Sequence, residues 1–335
     1  MAAEHTPPPI DPLEPDDFDD HDSSLGDGDD GETTPSTSSL TSSILSYRKE
    51  NGRTYHGFRD GKYHFPNDDA ENERLDFQHH IFYLSLDGKL GLAPPNFPGS
   101  TVGRVLDLGT GTGIWAMDFG DEHPEAEITG IDLSPTQPSF VPPNVRFIVD
   151  DFEDDWIYSE PFQYIHSRMN NSSISDWQIY IRRAYENLEP GGYLEIQDFT
   201  LPTSDDGSLT PDHALQRSMT LLGQAAAGMG HPFIDLATIA PMLRATGFQD
   251  VVEHHFRWPS NAWPRDPHHK HIGSWNHENI ISGLQGFLMA ALTRGLGWRS
   301  EEVDVLAAQA RKEMKDRGIH AYWPMIVVTG QKPES

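Results

Sequence analysis

Residues 105–115 read Val105-Leu106-Asp107-Leu108-Gly109-Thr110-Gly111-Thr112-Gly113-Ile114-Trp115, and residues 128–132 read Ile128-Thr129-Gly130-Ile131-Asp132. An apolar run, a glycine-rich turn, a short helical stretch and a second apolar run ending in a carboxylate make a nucleotide-binding βαβ half. At Gly109, Gly111 and Gly113 the missing Cβ atoms let the backbone turn sharply and lie against a ligand. Asp132, at the tip of the second strand, is placed to accept both hydroxyls of a ribose.

The glycine spacing selects among nucleotides. A dinucleotide fingerprint runs G-x-G-x-x-G, its third glycine allowing close helix–strand packing beside a pyrophosphate. Here the glycines alternate as G-x-G-x-G and Ile114 stands where the third is required, which disfavours NAD. Asp107, inside the strand before the turn, would repel a pyrophosphate and suits a ligand carrying an ammonium. An adenosine with a cationic amino-acid tail meets both conditions, so the expected cofactor is S-adenosylmethionine. Thr110 in the turn and Leu133 after Asp132 join the expected binding set.

The chain has 335 residues, ample for a sizeable core, with 36% hydrophobic residues and a mean hydropathy of −0.56. No apolar run approaches the roughly 20 residues that span a bilayer, and no basic-then-apolar leader opens the sequence, so an intracellular protein of cytoplasm or nucleus is expected. With no cysteine there is no disulfide framework, thiolate nucleophile or cysteine zinc site. The net charge is −28; residues 1–47 carry twelve acids and no Lys or Arg, which leaves −16 on the remainder. Acidity in both parts argues against a nucleic acid held through its phosphates.

Residues 1–45 read as a disordered acidic tail, too polar to offset ordering entropy. Residues 46–100 form a lead-in and helix, and residues 101–335 an α/β domain. From Tyr47 to Pro66 aromatic and basic residues are dense (Tyr47, Tyr55, Phe58, Tyr63, His64), fitting either a lid over the cofactor or an arm over a sheet edge. The spacing of Leu75, His79, Phe82 and Leu86 predicts a helix over 69–87, stopped by Gly88, with His79 on its buried stripe. After Asp132 a third strand reaches Val149. At its carboxyl end Asp151 is expected to accept from the adenine amino group and Phe152 to offer its amide and ring. A fourth strand, Phe162 to Ser167, places His166 above the methyl-transfer position, the histidine best placed for proton chemistry. Ser175-Asp176-Trp177-Gln178 matches a capping box, with Trp177 opening the inward stripe of the helix. A fifth strand follows at 193–199 and a sixth at 248–258, and 322–330 supplies the last. Helical insertions fill about 201–247 and 259–318, one helix being capped by Thr210 and another running from Asn276 to Leu296. His268, His269 and His271 fall in a Pro-rich loop, more a solvated loop than a zinc site, and no metal is expected.

Several stretches together resemble the class I S-adenosylmethionine methyltransferases, and more narrowly their fungal LaeA-like group. They are Tyr47 to His56, His79-His80-Ile81, Leu106 to Trp115, Asp132-Leu133-Ser134-Pro135, Val145 to Asp155, Ile174 to Trp177, Glu189 to Gly192 and His320-Ala321-Tyr322, and the match spans Ser46 to Pro333. The resemblance implies a Rossmann-like seven-strand sheet with the last strand antiparallel, and cofactor contacts at Asp107, Gly109, Gly111, Asp132, Asp151 and Phe152. It also implies a role in fungal secondary metabolism or its regulation, with velvet-type regulatory proteins as partners of some members. The acceptor is a small molecule or a protein. Methyl transfer needs alignment, exclusion of water and, for a hydroxyl or amine acceptor, removal of a proton. Tyr55, Tyr63, His166 and Trp177 are the expected aromatic surround, with His166 as base. The reading from another class is a regulatory module that holds cofactor and partner proteins with little turnover.

Overall fold

A computed structural model describes residues 11–16 and 47–334; most of the acidic tail, including its Ser/Thr-rich end, lies outside the described residues. Within the stretch read as tail, Pro15 bridges Pro264, and Asp16 N–H donates to the Trp263 carbonyl at 2.9 Å.

A hairpin of β1 (Arg48–Glu50) and β2 (Arg53–Tyr55) opens the main body, followed by α1 (Asp69–Ser85). The sheet is then built from β3 (Arg104–Leu108), β4 (Glu127–Asp132), β5 (Val145–Val149), β6 (Phe162–Arg168), β7 (Leu188–Phe199), β8 (Gln249–Pro259) and β9 (Tyr322–Gln331). Its order is β5-β4-β3-β6-β7-β9-β8. The first five strands are parallel, and β9 runs antiparallel to both neighbours. This is the seven-strand arrangement expected, with the final strand inserted between β7 and β8. The strand order reverses at β3 and β6, and at such a switch point ligands lie beyond the strands' carboxyl ends.

The helices are α2 (Ile114–Glu122), α3 (Trp177–Asn187), α4 (Ala214–Gly228), α5 (Ile239–Thr246), α6 (Pro267–Ala290) and α7 (Ser300–Met314). Strand alternation sorts the core into two faces. Leu106, Leu108, Ile165 and Ile196 pack with Trp177, Ile181 and Leu243 of α3 and α5. Val105, Ile128 and Tyr164 face Trp115 and Phe119 of α2 instead. A third core joins α1, α4, α6 and α7 over the end of the sheet, through Phe82, Leu215, Leu284 and Leu306.

Three helix starts differ from the sequence reading. The helix after Thr210 begins only at Ala214, because the amides of Ala214 and Leu215 are capped from α7 by the Glu313 carboxylate at 3.0 and 2.8 Å. Thr210 spends its hydroxyl on His213 instead. α6 begins at Pro267, with Asp266 as its cap accepting from His269 N–H at 2.9 Å, so His268, His269 and His271 ride on a helix and not in a loop. Asp176, not Ser175, caps α3. Among the described residues no helix is long and apolar enough to cross a membrane.

Candidate functional site

A cavity, with about 840 Å³ of empty space counting its open mouth, lies beyond the carboxyl ends of β3, β4 and β6. Its floor is the glycine turn. Gly109 and Gly111 hold φ of +70° and +58°, left-handed values natural to glycine, and both line the cavity. A Cβ on Gly109 would sit 2.6 Å from Asn170 Oδ1, so the backbone there must stay bare. One wall is Asp132 with Leu133 and Ser134; Asp132 accepts from Gly111 N–H and Ser134 N–H, each at 2.9 Å. Burial outweighs these bonds and pushes its carboxyl up to about 6. Another wall carries Asp151 and Phe152.

The lead-in closes the cavity from above. Lys62, Tyr63, Pro66 and Asn67 line it. Lys62 pairs with Asp151 and, at 3.0 Å, with Glu153, while Arg59 pairs with Asp154. Asn67 Nδ2 donates to Ser134 Oγ at 3.3 Å. These contacts pin the segment across the ends of β4 and β5. On its other side Glu50 holds Arg294 at 2.7 Å, tying the hairpin to the helical region.

Two charged residues that the sequence reading passed over face the same space. Glu71, in the first turn of α1, is 3% exposed; its Oε1 binds Arg74, and its Oε2 has no partner among the described residues. Arg168, at the carboxyl end of β6, lines the cavity and has no carboxylate partner among the described residues. Its two terminal nitrogens donate to His79 Nδ1 at 3.1 Å, and its guanidinium lies 4.8 Å from the Phe82 ring centre. Desolvation lowers it to about 10. His79 in turn points Nε2 at Asp118, 3.0 Å away, which fixes it as a neutral ring accepting from Arg168, and burial lowers its own pKa.

Residues 77–254 match the methyltransferase-domain family. The chain belongs to that family. It is 42% identical over 298 residues to "Methyltransferase pytC" of Aspergillus terreus, covering 88% of this chain and 91% of the relative. To "Secondary metabolism regulator LAE1" of Cochliobolus heterostrophus it is 37% identical, with 85% and 94% covered. To "Protein-methionine methyltransferase laeA" of Emericella nidulans it is 34% identical, with 88% and 79% covered. It is thus a methyltransferase of the fungal LaeA-like group, related to proteins of secondary metabolism, and S-adenosylmethionine is its methyl donor.

Within this methyltransferase the glycine turn, Asp132, Leu133, Asp151, Phe152 and Tyr63 come together as cavity lining. Other expected contacts do not. Asp107 points to the α2 side of the sheet, where it accepts from Thr110 Oγ1 at 2.5 Å and meets His166 Nδ1 at 2.7 Å. Thr110 is consumed by that bond. Gly113 caps α2 at φ +82° and packs against Phe147, away from the cavity. His166 is fully buried and stacks on Trp115 with ring centres 3.7 Å apart and planes within 5°. It sits in register with Asp107, so alternation sends both under α2 rather than above the strand ends. The proposed base is therefore walled off from the cavity. Trp177 is buried against Tyr180, Tyr55 is buried beneath Arg294, and Tyr47 is half-buried outside the lining.

Proposed function

We infer that the cavity grips S-adenosylmethionine by both ends and presents its methyl to a small acceptor used in secondary metabolism. The observation that carries this is a pair of lining residues, Glu71 with a carboxylate oxygen that has no partner among the described residues and Arg168 with a guanidinium that makes no ion pair among them, beside a bare glycine turn. A zwitterionic amino-acid tail needs one acceptor for its ammonium and one donor for its carboxylate, and buried charges of this kind call for partners. Asp132 supplies the ribose acceptor, and Asp151 with Phe152 the adenine end. When bound, the cofactor supplies an electrophilic methyl on a sulfonium. The protein's part is to exclude water with the lead-in and fix the geometry.

Calorimetry on the full chain tests this with S-adenosylmethionine, adenosine and NAD. Glu71→Gln and Arg168→Met are expected to weaken S-adenosylmethionine by about tenfold or more each, the scale of one charge-assisted bond, and to leave adenosine unchanged. Equal loss of both ligands would defeat the tail assignment, and failure of the wild type to bind S-adenosylmethionine would defeat the site.

A second reading, a regulatory subunit holding velvet-type proteins, draws support from relatives named as regulators. Capture of such a protein by the full chain, with no methyl incorporated into metabolites, is the result that would favour it.

A further inference from the structure

A second cavity, of about 630 Å³ of empty space, lies against the first on the side of the helical insertion. Tyr63, Leu75 and Met169 line both. The second cavity's lining is drawn from the lead-in, α1, β7, α4, α6, β9 and the loops between them, and its bulk is apolar: Phe65 from the lead-in, Met219 and Leu222 from α4, Ile280 and Phe287 from α6, Trp323 from β9. Its polar members are largely engaged. Arg74 is held by Glu71 and by Asn279 at 2.6 Å, and Asn171 bonds the carbonyl of Phe199 and both backbone groups of Ile234.

Asp198 differs. It stands at the carboxyl end of β7, is 1% exposed, and has no cation partner among the described residues. One oxygen accepts from Asn170 N–H at 2.8 Å and the other from Phe199 N–H at 2.9 Å. A carboxylate offers about four lone-pair sites, so acceptor capacity is left over. Burial pushes its carboxyl up to about 7. The titratable groups whose fields touch it are Tyr180 of α3 and Tyr63 of the lead-in, both pushed above the ordinary tyrosine range by burial, so neither changes charge near neutrality. Arg74 is the cation that α1 adds to the cavity wall, while α4, α6 and β9 contribute apolar side chains.

We propose that this second cavity is the acceptor site, that it takes a small, largely apolar molecule bearing a phenolic or enolic hydroxyl, and that Asp198 receives the proton of that hydroxyl. This rests on the donor site proposed above. The concave, apolar lining suits a planar small molecule better than a segment of a folded partner. A carboxylate that titrates near neutrality is matched to a weakly acidic O–H, whereas an amine would arrive already protonated. In the transfer the acceptor's O–H bond breaks with its electron pair left on oxygen, and that pair forms the new O–CH₃ bond. The old carbon–sulfur pair stays on sulfur, and the proton goes to the carboxylate. A cation and an anion thereby become two neutral groups inside a dry site, which low polarity favours.

The test uses the full chain and 2-naphthol as probe, titrated by fluorescence from pH 5.5 to 8.5, about one and a half units either side of the carboxyl's midpoint. Wild type is expected to bind 2-naphthol about tenfold more tightly at the top of the range, because an ionised carboxylate accepts more strongly than a neutral acid. Asp198→Asn should flatten that rise while holding S-adenosylmethionine within about twofold of wild type by calorimetry, the scatter expected for a site that loses no contact. Asp198→Glu should keep the rise, and Phe233→Arg should abolish 2-naphthol binding. A flat wild-type profile, or a rise that survives in Asp198→Asn, overturns the proposal. If Asp198→Asn does not fold, the wild-type profile and Phe233→Arg decide it. Wild type that binds 2-naphthol with the expected pH rise yet not S-adenosylmethionine would sink the donor reading alone.

Discussion

Replacing Asp132 by Asn should stabilise the free protein and cripple cofactor binding together. Burial raises this carboxyl from its ordinary 3.8 to about 6, despite amide bonds from Gly111 and Ser134. A two-unit rise corresponds to about 3 kcal/mol. The sign is set by which state holds the proton. Between about pH 4 and 6 the folded chain keeps it and the unfolded chain has released it, so stability falls with rising pH across that window and the full loss stands at pH 7.5. Asn cannot ionise, escapes that loss, and forfeits one of two acceptors, at about 1 kcal/mol. Urea unfolding should therefore find Asp132→Asn about 2 kcal/mol more stable than wild type at pH 7.5 and slightly less stable at pH 4. Calorimetry should find S-adenosylmethionine weakened by about 10- to 100-fold, the worth of a charge-assisted hydroxyl contact. Wild-type affinity should itself fall below about pH 6 as the carboxylate is lost. A variant less stable than wild type at both pH values would refute the reasoning, since the buried charge would then not oppose folding.

Further outcomes follow from the same geometry. His166→Ala should lower unfolding free energy by about 2–4 kcal/mol, from the cavity under Trp115 and the buried Asp107 oxygen left without its partner, while S-adenosylmethionine binding measured well below the melting point stays within about threefold; a selective loss of binding would return His166 to the site. Gly113→Ala should cost about 2 kcal/mol or more in chemical denaturation, because its Cβ would meet Phe147 at 2.3 Å at a backbone φ of +82°; a wild-type midpoint would contradict the packing. Lys62→Met should speed S-adenosylmethionine dissociation several-fold in stopped flow, by freeing the lead-in from Asp151 and Glu153; an unchanged rate would mean that the segment merely rests there.

The sheet was legible because its strands are short apolar runs bounded by Gly, Pro and Asp, and because the G-x-G-x-G turn and Asp132 lie within one βαβ unit, where spacing along the chain is spacing in space. The misplaced residues share a cause. His166 is expected at its strand's carboxyl end and Asp107 inside its strand before the turn, and the alternation of side chains along the paired strands turns both to the α2 side, beneath Trp115. Arg168, two residues beyond His166, shares its face by that count and lines the cavity from the last residue of β6, where the period of two gives no warning of it. Glu71 was not legible either: an acid in a first helical turn reads as a complement to the helix dipole, and only the tertiary fold brings it to the same cavity as Arg168. Likewise the cap of α4 comes from Glu313, almost a hundred residues away, where no local pattern could announce it.

The position of β9 bears on how the chain is made. β8 leaves the ribosome with nothing to pair with, since the strand that joins it to β7 emerges only after α6 and α7 have been synthesised. Until then both β7 and β8 present open edges, the kind of surface that recruits strands from other chains. β8 carries Glu253, His254, His255 and Arg257 along that waiting edge. Polar side chains there would keep nascent molecules apart, so that a stretch with no part in chemistry protects the yield of folded enzyme.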